Sequence, residues 1–523
     1  MSLNEQAQSR SADRRVLVIL AIALVTLLLP FLLTSVFHPD EFTDLYEGVW
    51  ILHGAAQYRD IHDGIAPISP YLAACTFALL GPSLLAGRFV QTGVIFLCGL
   101  QIFRLAQRLE VPAWMATIPS LALVVGVYRA WPGYSHHWLA IPWMLAAVLT
   151  GFGALDGGRS RTWFFAGLAT GGAMLAMQTD GVVITGVLAG VLLAHGLLTR
   201  ETFTSIARQF GMLAFGIAVP ISLAALFIGS QGALPQAVNQ IWIAPLFHAK
   251  VAGGYNDVKY GSDWLAQISP IAKNPTWLGR AFHLSMTYLL SPVAIIGGLL
   301  VLLPKTTRLS PADWRLALAG LMAAGYFTLL SVEHADYPMV AVYAVPALPV
   351  LSALAMRWAR RFQGHWHAWL GHCLLGAYTV TGVLLLTRFM AASPQNWMRL
   401  SSPDARIRSV PVLQYLREHT RPGDRLIAMP NGGIFYFYGR PAATRFPLIW
   451  PLWTRFNTPE QLAEVRSEIA RNQPKFVVLG PYIIHNDDIT AYLNGPLPSS
   501  YHEIPRVFHL HGGPVYLFER ESP

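Results

Sequence analysis

The chain has 523 residues, of which 54% are hydrophobic and only 12% are charged, and its formal net charge is +9. A soluble domain usually carries about 25% charged residues, so the composition excludes an ordinary soluble protein. The mean hydropathy is +0.42, and apolar runs of about twenty residues recur along the chain, which is the length that crosses a bilayer. We therefore predict a polytopic α-helical membrane protein, with room for one further domain.

The apolar segments predict about eleven transmembrane helices. They cover residues 16–37, 84–106, 113–128, 137–153, 162–178, 181–197, 209–229, 283–303, 313–331, 337–355 and 368–390. A shorter apolar stretch runs from Pro67 to Leu80 and is closed by Gly81 and Pro82. It is too short to span, so we expect a helix that lies in the membrane interface. The first segment is too long for the core of a cleavable signal peptide, and none is expected.

Basic residues fall in alternate loops. The loops that carry them contain Arg104 and Arg108, Arg159 and Arg161, Arg200 and Arg208, Lys305, Arg308 and Arg315, and Arg357, Arg360 and Arg361. The positive-inside rule places these loops and the N-terminus in the cytoplasm, provided that residues 67–80 do not cross. The acidic or aromatic segments then lie outside: 38–83, 128–138, 178–181, 229–280, 331–337 and everything after about residue 391.

The end of the chain changes character. We predict a membrane domain at 1–395 and a small periplasmic α/β domain at 396–523. Helical patterns occupy 410–420 and 458–473, short apolar strands occupy 424–430 and 475–482, and residues 502–520 suit a hairpin around Gly512 and Gly513.

Three cysteines occur, an odd number, and all lie in apolar segments: Cys75, Cys98 and Cys373. They form no CxxC motif and no Cys/His zinc spacing, so we expect free buried thiols.

Carboxylates are concentrated where the first apolar segment ends. They are Asp40, Glu41, Asp44 and Glu47, followed by Asp60 and Asp63. One interpretation is a solvated acidic face, which suits Asp44 and Glu47, one helical turn apart. The other concerns Asp40 and Glu41, which directly follow a proline that fixes their position at the interface. A carboxylate placed there can act as a general base on a hydroxyl.

The segment HPDEFTDLYEGVWILHGAAQYRDIHDGIAPISPYLAACTFALLGPSLLAGR, residues 38–88, resembles the first extracytoplasmic loop of the GT-C glycosyltransferases. The most similar branch contains the protein O-mannosyltransferases and the lipid A aminoarabinose transferase. The shared pattern is the pair Asp40-Glu41, an interfacial helix to about His53, Tyr58-Arg59-Asp60, a second helix from Pro67 to Leu80, Gly81 and Arg88. The resemblance is strong over about residues 16–110, and residues 421–446 resemble the C-terminal domain of bacterial members.

The resemblance implies a hexosyl or pentosyl transferase of the cell inner membrane. It would move a sugar, with inversion, from a polyprenyl-phosphate donor to a hydroxyl of an envelope glycan, lipid A or a protein. It further implies Asp40 as the catalytic base and Glu41 in a supporting role. Membrane lipids are expected neighbours, and no nucleic-acid partner is expected. Many members carry a basic residue just before the proline of the second helix, where this chain has Ala66.

The donor phosphate must therefore meet other cations. Negative charge grows on the phosphate as the sugar leaves, and fixed cations stabilise that charge. The candidates are the outer basic residues Arg59, Arg129, Lys250 and Lys259. The alternative is that these side chains reach lipid headgroups at the membrane surface.

Other outer polar residues are candidates for binding the acceptor or the sugar. They are Asp63, His136, His137, His334 and Asp336. The segment 331–337 suits a site wall, a divalent metal site or a solvated turn, and metal dependence is left open. Gln178 and Asp180 are interpreted as structural residues of a tight outer turn.

A transporter and an oligosaccharide ligase are the alternative functions. Secondary transporters show internal repeats and midplane charges, whereas this chain shows no clear repeat and keeps its carboxylates at segment ends. A ligase would not need the Asp40-Glu41 pair after the first span.

Overall fold

The computed structural model describes residues 3–33, 39–129, 131–157, 160–244, 291–300, 309–332, 339–361, 403–429, 433–447, 459–480, 501–510 and 513–521, with scattered positions between 373 and 387. Within these ranges the chain forms a bundle of helices and, toward its C-terminal end, a small region of helices and strands. The predicted fold class is confirmed.

The described helices of the bundle follow the predicted apolar segments closely. They are α1 (Leu3–Leu33), α2 (Pro39–Leu52), α3 (Ile68–Leu80), α4 (Leu84–Arg108), α5 (Ala113–Ala122), α6 (His136–Leu155), α7 (Ser160–Ala176), α8 (Gln178–Leu198), α9 (Phe203–Ser230), α10 (Leu234–Val238), α11 (Ser291–Leu299), α12 (Pro311–Val332) and α13 (Ala347–Arg361). A π-helical turn, Leu123–Tyr128, continues α5, a second, Asn239–Ile243, continues α10, and a 3₁₀ turn, Met339–Ala344, precedes α13.

Five described helices are long and apolar enough to cross a membrane: residues 12–33 of α1, and α4, α6, α8 and α9. The total of about eleven spans stays a prediction, because parts of the segments at 283–303 and 368–390 lie outside the described residues. α3 has only 13 residues, in agreement with the expected helix that is too short to span.

Charged residues of the loops predicted to be cytoplasmic meet at one end of the bundle. Arg108 lies 2.6 Å from Asp156, Arg315 lies 3.4 Å from the same carboxylate, and Arg360 lies 3.0 Å from Glu110. α4 ends at this end and begins at the opposite one, beside α2 and α3. The described charges Arg108, Arg315 and Arg360 thus share one end, as the charge pattern predicts, while the side of the membrane that this end faces is still a prediction.

The C-terminal region combines short helices with one sheet. Its elements are α14 (Pro403–Arg408), α15 (Pro411–Glu418), α16 (Gly433–Tyr438), α17 (Pro459–Asn472), β1 (Leu426–Met429), β2 (Phe476–Leu479), β3 (Tyr501–Glu503), β4 (Phe508–Leu510) and β5 (Gly513–Arg520). The strand order is β1-β2-β5-β3, with β4 also paired to β5. The β1 and β2 pair is parallel, and the others are antiparallel. The predicted strands, helices and closing hairpin are confirmed, whereas the predicted boundary near residue 395 lies outside the described residues.

This region packs directly against α2. Phe42 and Tyr46 of α2 share one apolar cluster with Tyr436 and Tyr438 of α16. The Tyr46 hydroxyl also accepts a hydrogen bond of 2.9 Å from the amide of Ala442. The α/β region therefore forms one wall around the helix that carries the carboxylates.

The expectation for the cysteines is partly wrong. All three are free, but only Cys98 is buried, while Cys75 and Cys373 are exposed. Cys75 lies on the face of α3 that lines an open groove, so an apolar stretch around a cysteine does not decide which face of its helix is covered.

Candidate active site

The helix α2 carries a row of buried carboxylates. Glu41, Asp44 and Glu47 follow one another at three-residue spacing, which places them on neighbouring turns of one face. Their exposed fractions are only 0%, 5% and 2%. The interpretation of Asp44 and Glu47 as a solvated face is therefore wrong. Residues from α3, α6 and the C-terminal region cover this helix, and sequence spacing alone contains no sign of that cover.

Glu41 is held by a buried arginine. Arg88, on α4, donates from Nε to Oε1 of Glu41 at 2.9 Å and from Nη2 to Oε2 at 3.0 Å. Both side chains are at most 2% exposed. Two parallel charge-assisted bonds in a buried site fix the geometry of the pair. A carboxylate with both oxygens engaged in this way suits an orienting role better than that of a proton acceptor.

The segment 131–135 covers Glu41. The amide of Tyr134 donates to Oε1 of Glu41 at 3.1 Å, and the Tyr134 hydroxyl donates to the carbonyl of Ser69 at 2.7 Å. Gly133 has a φ of +149°, and a Cβ there would lie 3.2 Å from Cδ of Glu41. Only glycine adopts this backbone readily and leaves room for the carboxylate.

Asp44 joins α2 to α3 and α6. Its Oδ2 accepts from the hydroxyl of Ser69 at 2.7 Å and from the amide of His136 at 3.1 Å. Nδ1 of His136 lies 3.2 Å from the same oxygen. The neighbouring His137 ring is 4.4 Å from that of His136 and 5.2 Å from the ring of Trp131. His136 and His137, the two histidines of this segment that were candidates for binding the acceptor or the sugar, thus lie beside the carboxylate row, and both are buried.

Asp63 meets Glu47 at the far end of the row. The Asp63 carboxylate accepts from Nε2 of Gln57 at 2.7 Å and from the amide of Ile65 at 2.9 Å. Burial raises the pKa of Asp63 from 3.8 to about 6. Burial and the nearby Asp63 and Asp44 carboxyls raise the pKa of Glu47 well above its ordinary value. Buried acids this close hold a proton more tightly, because two adjacent negative charges repel each other.

Arg59 lies apart from these carboxylates. It is half exposed and bonded to its neighbour Asp60 at 2.8 Å, and it donates to the carbonyl of Gln231 at 2.8 Å. It borders a groove of about 500 Å³ between the end of α2, α3 and the end of α9, which is lined mainly by apolar residues such as Ile51 and Phe227. Arg129 directly follows the π-helical turn after α5 and is partly buried.

Several candidates fall outside what the structure describes. Lys250, Lys259, His334 and Asp336 lie in segments outside the described residues. The backbone of Asp40 belongs to the first turn of α2, next to Glu41, but its side chain is likewise outside the described part.

Gln178 and Asp180 form the first turn of α8 rather than a tight loop. Nε2 of Gln178 donates to the carbonyl of Gly64 at 2.8 Å, and Asp180 accepts from the Tyr326 hydroxyl at 2.9 Å. These contacts agree with the structural interpretation of both residues. Among the described side chains, no group of three His, Cys, Asp or Glu is arranged to hold a metal ion.

The structure therefore brings Glu41, Asp63, His136 and His137 together along α2 and leaves Arg59 at the groove. Sequence reasoning gave no site role to Arg88, although it appears in the family pattern. A signal was present: Arg88 is a basic residue near the end of an apolar segment that was predicted to face outward, against the positive-inside bias.

Comparison with solved structures shows what this fold is similar to. The crystal structure of ArnT from Cupriavidus metallidurans bound to undecaprenyl phosphate aligns with a TM-score of 0.59 and 14% identity, over 96% of this chain and 97% of that one. The Saccharomyces cerevisiae protein O-mannosyltransferase Pmt1-Pmt2 complex, bound to the sugar donor, aligns over 43% of this chain and 34% of that one, with 18% identity and a TM-score of 0.34. No protein-family model and no curated protein matches the chain.

The likeness to ArnT extends over nearly the full length of both chains. The fold, including the C-terminal region, is similar to that of ArnT. The resemblance noted for residues 38–88 is confirmed at the level of the fold.

Proposed function

We propose that the chain is a membrane glycosyltransferase that moves a hexosyl or pentosyl group from a polyprenyl-phosphate donor to a hydroxyl acceptor. The observation that carries this proposal is the full-length fold likeness to a protein solved with undecaprenyl phosphate. The buried carboxylate row supports it, because α2 and its neighbours place acidic and imidazole groups at one end of the bundle, around the Asp40-Glu41 turn. The acceptor is an envelope glycan, a lipid or a protein.

In the proposed reaction the acceptor hydroxyl gives its proton to Asp40 as its oxygen attacks the anomeric carbon. The bond from that carbon to the phosphate oxygen breaks on the opposite face, which inverts the configuration. The polyprenyl phosphate leaves with the bonding electron pair. Glu41 is bound on both oxygens by Arg88 and Tyr134, which favours Asp40 as the base and leaves Glu41 to fix the turn.

The leaving phosphate requires cations, because its negative charge grows in the transition state. We assign this role to Arg59, Arg129, Lys250 and Lys259. Arg59 is the candidate whose surroundings the structure describes best, at the mouth of an apolar groove. Asp63, His136, His137, His334 and Asp336 are assigned to the sugar and the acceptor. A divalent metal is a further candidate component.

The same proposal sets the orientation in the cell inner membrane. The end with the basic loops faces the cytoplasm together with the N-terminus, and the carboxylates and the C-terminal region face the periplasm.

Binding of undecaprenyl phosphate to the purified full-length protein tests the donor class. The lipid should raise the melting temperature in detergent, whereas undecaprenol, which lacks the phosphate, should not. Arg129→Ala and Lys250→Ala should each weaken binding by roughly 1.5–3 kcal/mol if the contact is a direct charge-assisted bond. Equal stabilisation by both lipids, or full binding by the double variant, would contradict the assignment.

A transfer assay distinguishes the remaining functions. Single sugars on undecaprenyl phosphate, offered one at a time with a cell-envelope acceptor fraction, should yield a glycosylated acceptor and free undecaprenyl phosphate. Transfer of a complete oligosaccharide would indicate a ligase instead. Movement of the intact donor across liposomes without cleavage would indicate a transporter.

A further inference from the structure

The C-terminal region caps the helix that carries Arg88. Asp404, in α14, accepts from the amide of Leu84 at 2.8 Å and from the amide of Leu85 at 3.4 Å. These are two of the first amides of α4, which have no partner within the helix. Ser83 serves a third amide, that of Ala86, at 3.1 Å. A buried carboxylate at a helix start is also favoured by the positive end of the helix dipole.

Tyr438 connects this cap to α2. Its hydroxyl donates to Oδ1 of Asp404 at 2.8 Å, and its ring lies 5.7 Å from that of Phe42. The charges of Glu41 and Arg88 both act on this hydroxyl. Burial and the Asp404 carboxylate raise the pKa of Tyr438, so the hydroxyl keeps its proton and remains a donor.

The backbone of α2 is held at the same place. A Cβ on Gly433, the first residue of α16, would lie 2.7 Å from the carbonyl carbon of Phe42. That distance leaves no room for a side chain, so α16 and α2 are in backbone contact one residue after Glu41. Phe42 is thus fixed on one side by Gly433 and on another by Tyr438.

Arg88 lies one helical turn after Leu84 on α4. A shift of the first turn of α4 therefore carries the guanidinium with it, and its two bonds to Glu41 leave little tolerance for such a shift. Asp404 and Tyr438 thus act on both members of the Glu41–Arg88 pair, through the start of α4 and through Phe42.

We propose that Asp404 and Tyr438 are positioning residues of the active site, which the C-terminal region completes by fixing Arg88, Glu41 and the adjacent Asp40. Neither residue needs to touch a substrate. The catalytic consequence rests on the proposed function, whereas the physical linkage between the two regions does not.

Hydrogen exchange of the full-length protein tests the linkage without any substrate. Tyr438→Phe removes one hydroxyl and keeps the ring, and Asp404→Asn keeps an acceptor but loses the charge. Both should speed exchange in peptides that cover 39–47 and 84–90 by about fivefold or more, with no change at the other end of α4. Tyr501→Phe is the matched control, because this hydroxyl bonds to Pro474 within the C-terminal region. Unchanged exchange in both peptides would overturn the proposal.

Turnover per folded enzyme separates a positioning role from a merely structural one, because a residue that only stabilises the fold would leave kcat of the folded enzyme unchanged. Per folded enzyme, Tyr438→Phe should lower kcat about tenfold while KM for the donor changes less than about twofold. Asp404→Asn should retain more activity than Asp404→Ala. In the double variant Tyr438→Phe/Arg88→Lys, kcat should fall by less than the product of the two fold-decreases in the single variants, because the effects of linked residues are not additive. The positioning role would be overturned if the effects of the two substitutions on kcat were strictly additive in free energy, or if Tyr438→Phe changed only KM for the donor and left kcat unaltered. If the wild type transfers no sugar, the proposed function fails, and hydrogen exchange alone decides this proposal.

Discussion

Glu41 on α2 and Arg88 on α4 form a bidentate ion pair that is buried from solvent. The distances are 2.9 and 3.0 Å, and the exposed fractions are 0% and 2%. The pair joins α2 to α4 beside the proposed base. Such a pair is sensitive to loss of one partner, because the remaining charge stays buried without its counter-ion.

Glu41→Gln should therefore lower the free energy of unfolding by about 3–5 kcal/mol. Thermal unfolding of the purified protein in detergent measures this. Glu110→Gln is the matched control, since the pair of Glu110 with Arg360 is largely exposed and should contribute less than about 1 kcal/mol. Similar losses in the two variants would show that the buried pair has no special role.

Asp40→Asn should abolish most turnover. The amide keeps the shape of the side chain but accepts no proton, and loss of a general base typically costs about 10²–10⁴-fold in rate. The melting temperature and the binding of undecaprenyl phosphate should be retained. Glu41→Gln should be milder in turnover per folded enzyme, although it is the less stable protein. Near wild-type transfer by Asp40→Asn would show that another residue is the general base, and Glu41 and Asp336 would be tested next.

The raised pKa of Asp63 predicts a stability that depends on pH. The folded protein holds this proton more tightly than the unfolded chain, with a pKa of about 6 against 3.8. The stabilising contribution is therefore complete below about pH 4 and is lost as the pH rises through about 6. The shift corresponds to about 3 kcal/mol.

Unfolding measured between about pH 3 and pH 7 should show a larger loss in the wild type than in Asp63→Asn, which keeps only the contribution of the buried Glu47, whose pKa is also raised. At the acidic end of this range Asp60 supplies a control of opposite sign, because its bond to Arg59 lowers its pKa from 3.8. The contribution of Asp60 is present above its unfolded pKa and disappears as the pH falls. Identical pH profiles for the wild type and Asp63→Asn would contradict the assignment.

The contact between α7 and α9 predicts a contrast between two glycines of one helix. A Cβ on Gly216 would lie 2.2 Å from the carbonyl oxygen of Phe164, whereas a Cβ on Gly211 would meet nothing within 4 Å. Gly216→Ala should cost about 1–3 kcal/mol because the two backbones must separate. Gly211→Ala should be neutral or slightly stabilising, since alanine favours a helix. Thermal unfolding of both variants makes the comparison, and equal effects would argue against the close packing.

The parts of the fold that were predictable depend on local pattern. α3 begins after Pro67 and ends before Gly81 as expected, because both signals lie next to the helix in sequence. The strands at Leu426–Met429 and Phe476–Leu479 were visible as short apolar runs between polar segments. Such features need no knowledge of what packs against them.

The site was less predictable because its character depends on distant residues. Asp44 is buried because Ser69 and His136 cover it, and no periodicity of α2 shows this. Arg88 was visible as an outer cation, but its partner could not be chosen from sequence when several carboxylates lay within reach. The role of Asp404 is the extreme case, since its bond to Leu84 joins residues 320 positions apart.

The separation of 320 positions between Leu84 and Asp404 also sets the order in which these parts can fold during synthesis. The start of α4 leaves the ribosome long before Asp404 exists. At about 5–20 residues per second, its first amides wait on the order of tens of seconds for the carboxylate that caps them. The membrane helices can insert in that interval, but the face that carries Glu41 and Arg88 cannot settle until the C-terminal region arrives. A chain released early would be a membrane-embedded bundle in which the start of α4 lacks its Asp404 cap. If the proposed function holds, synthesis itself delays activity until the last part is in place.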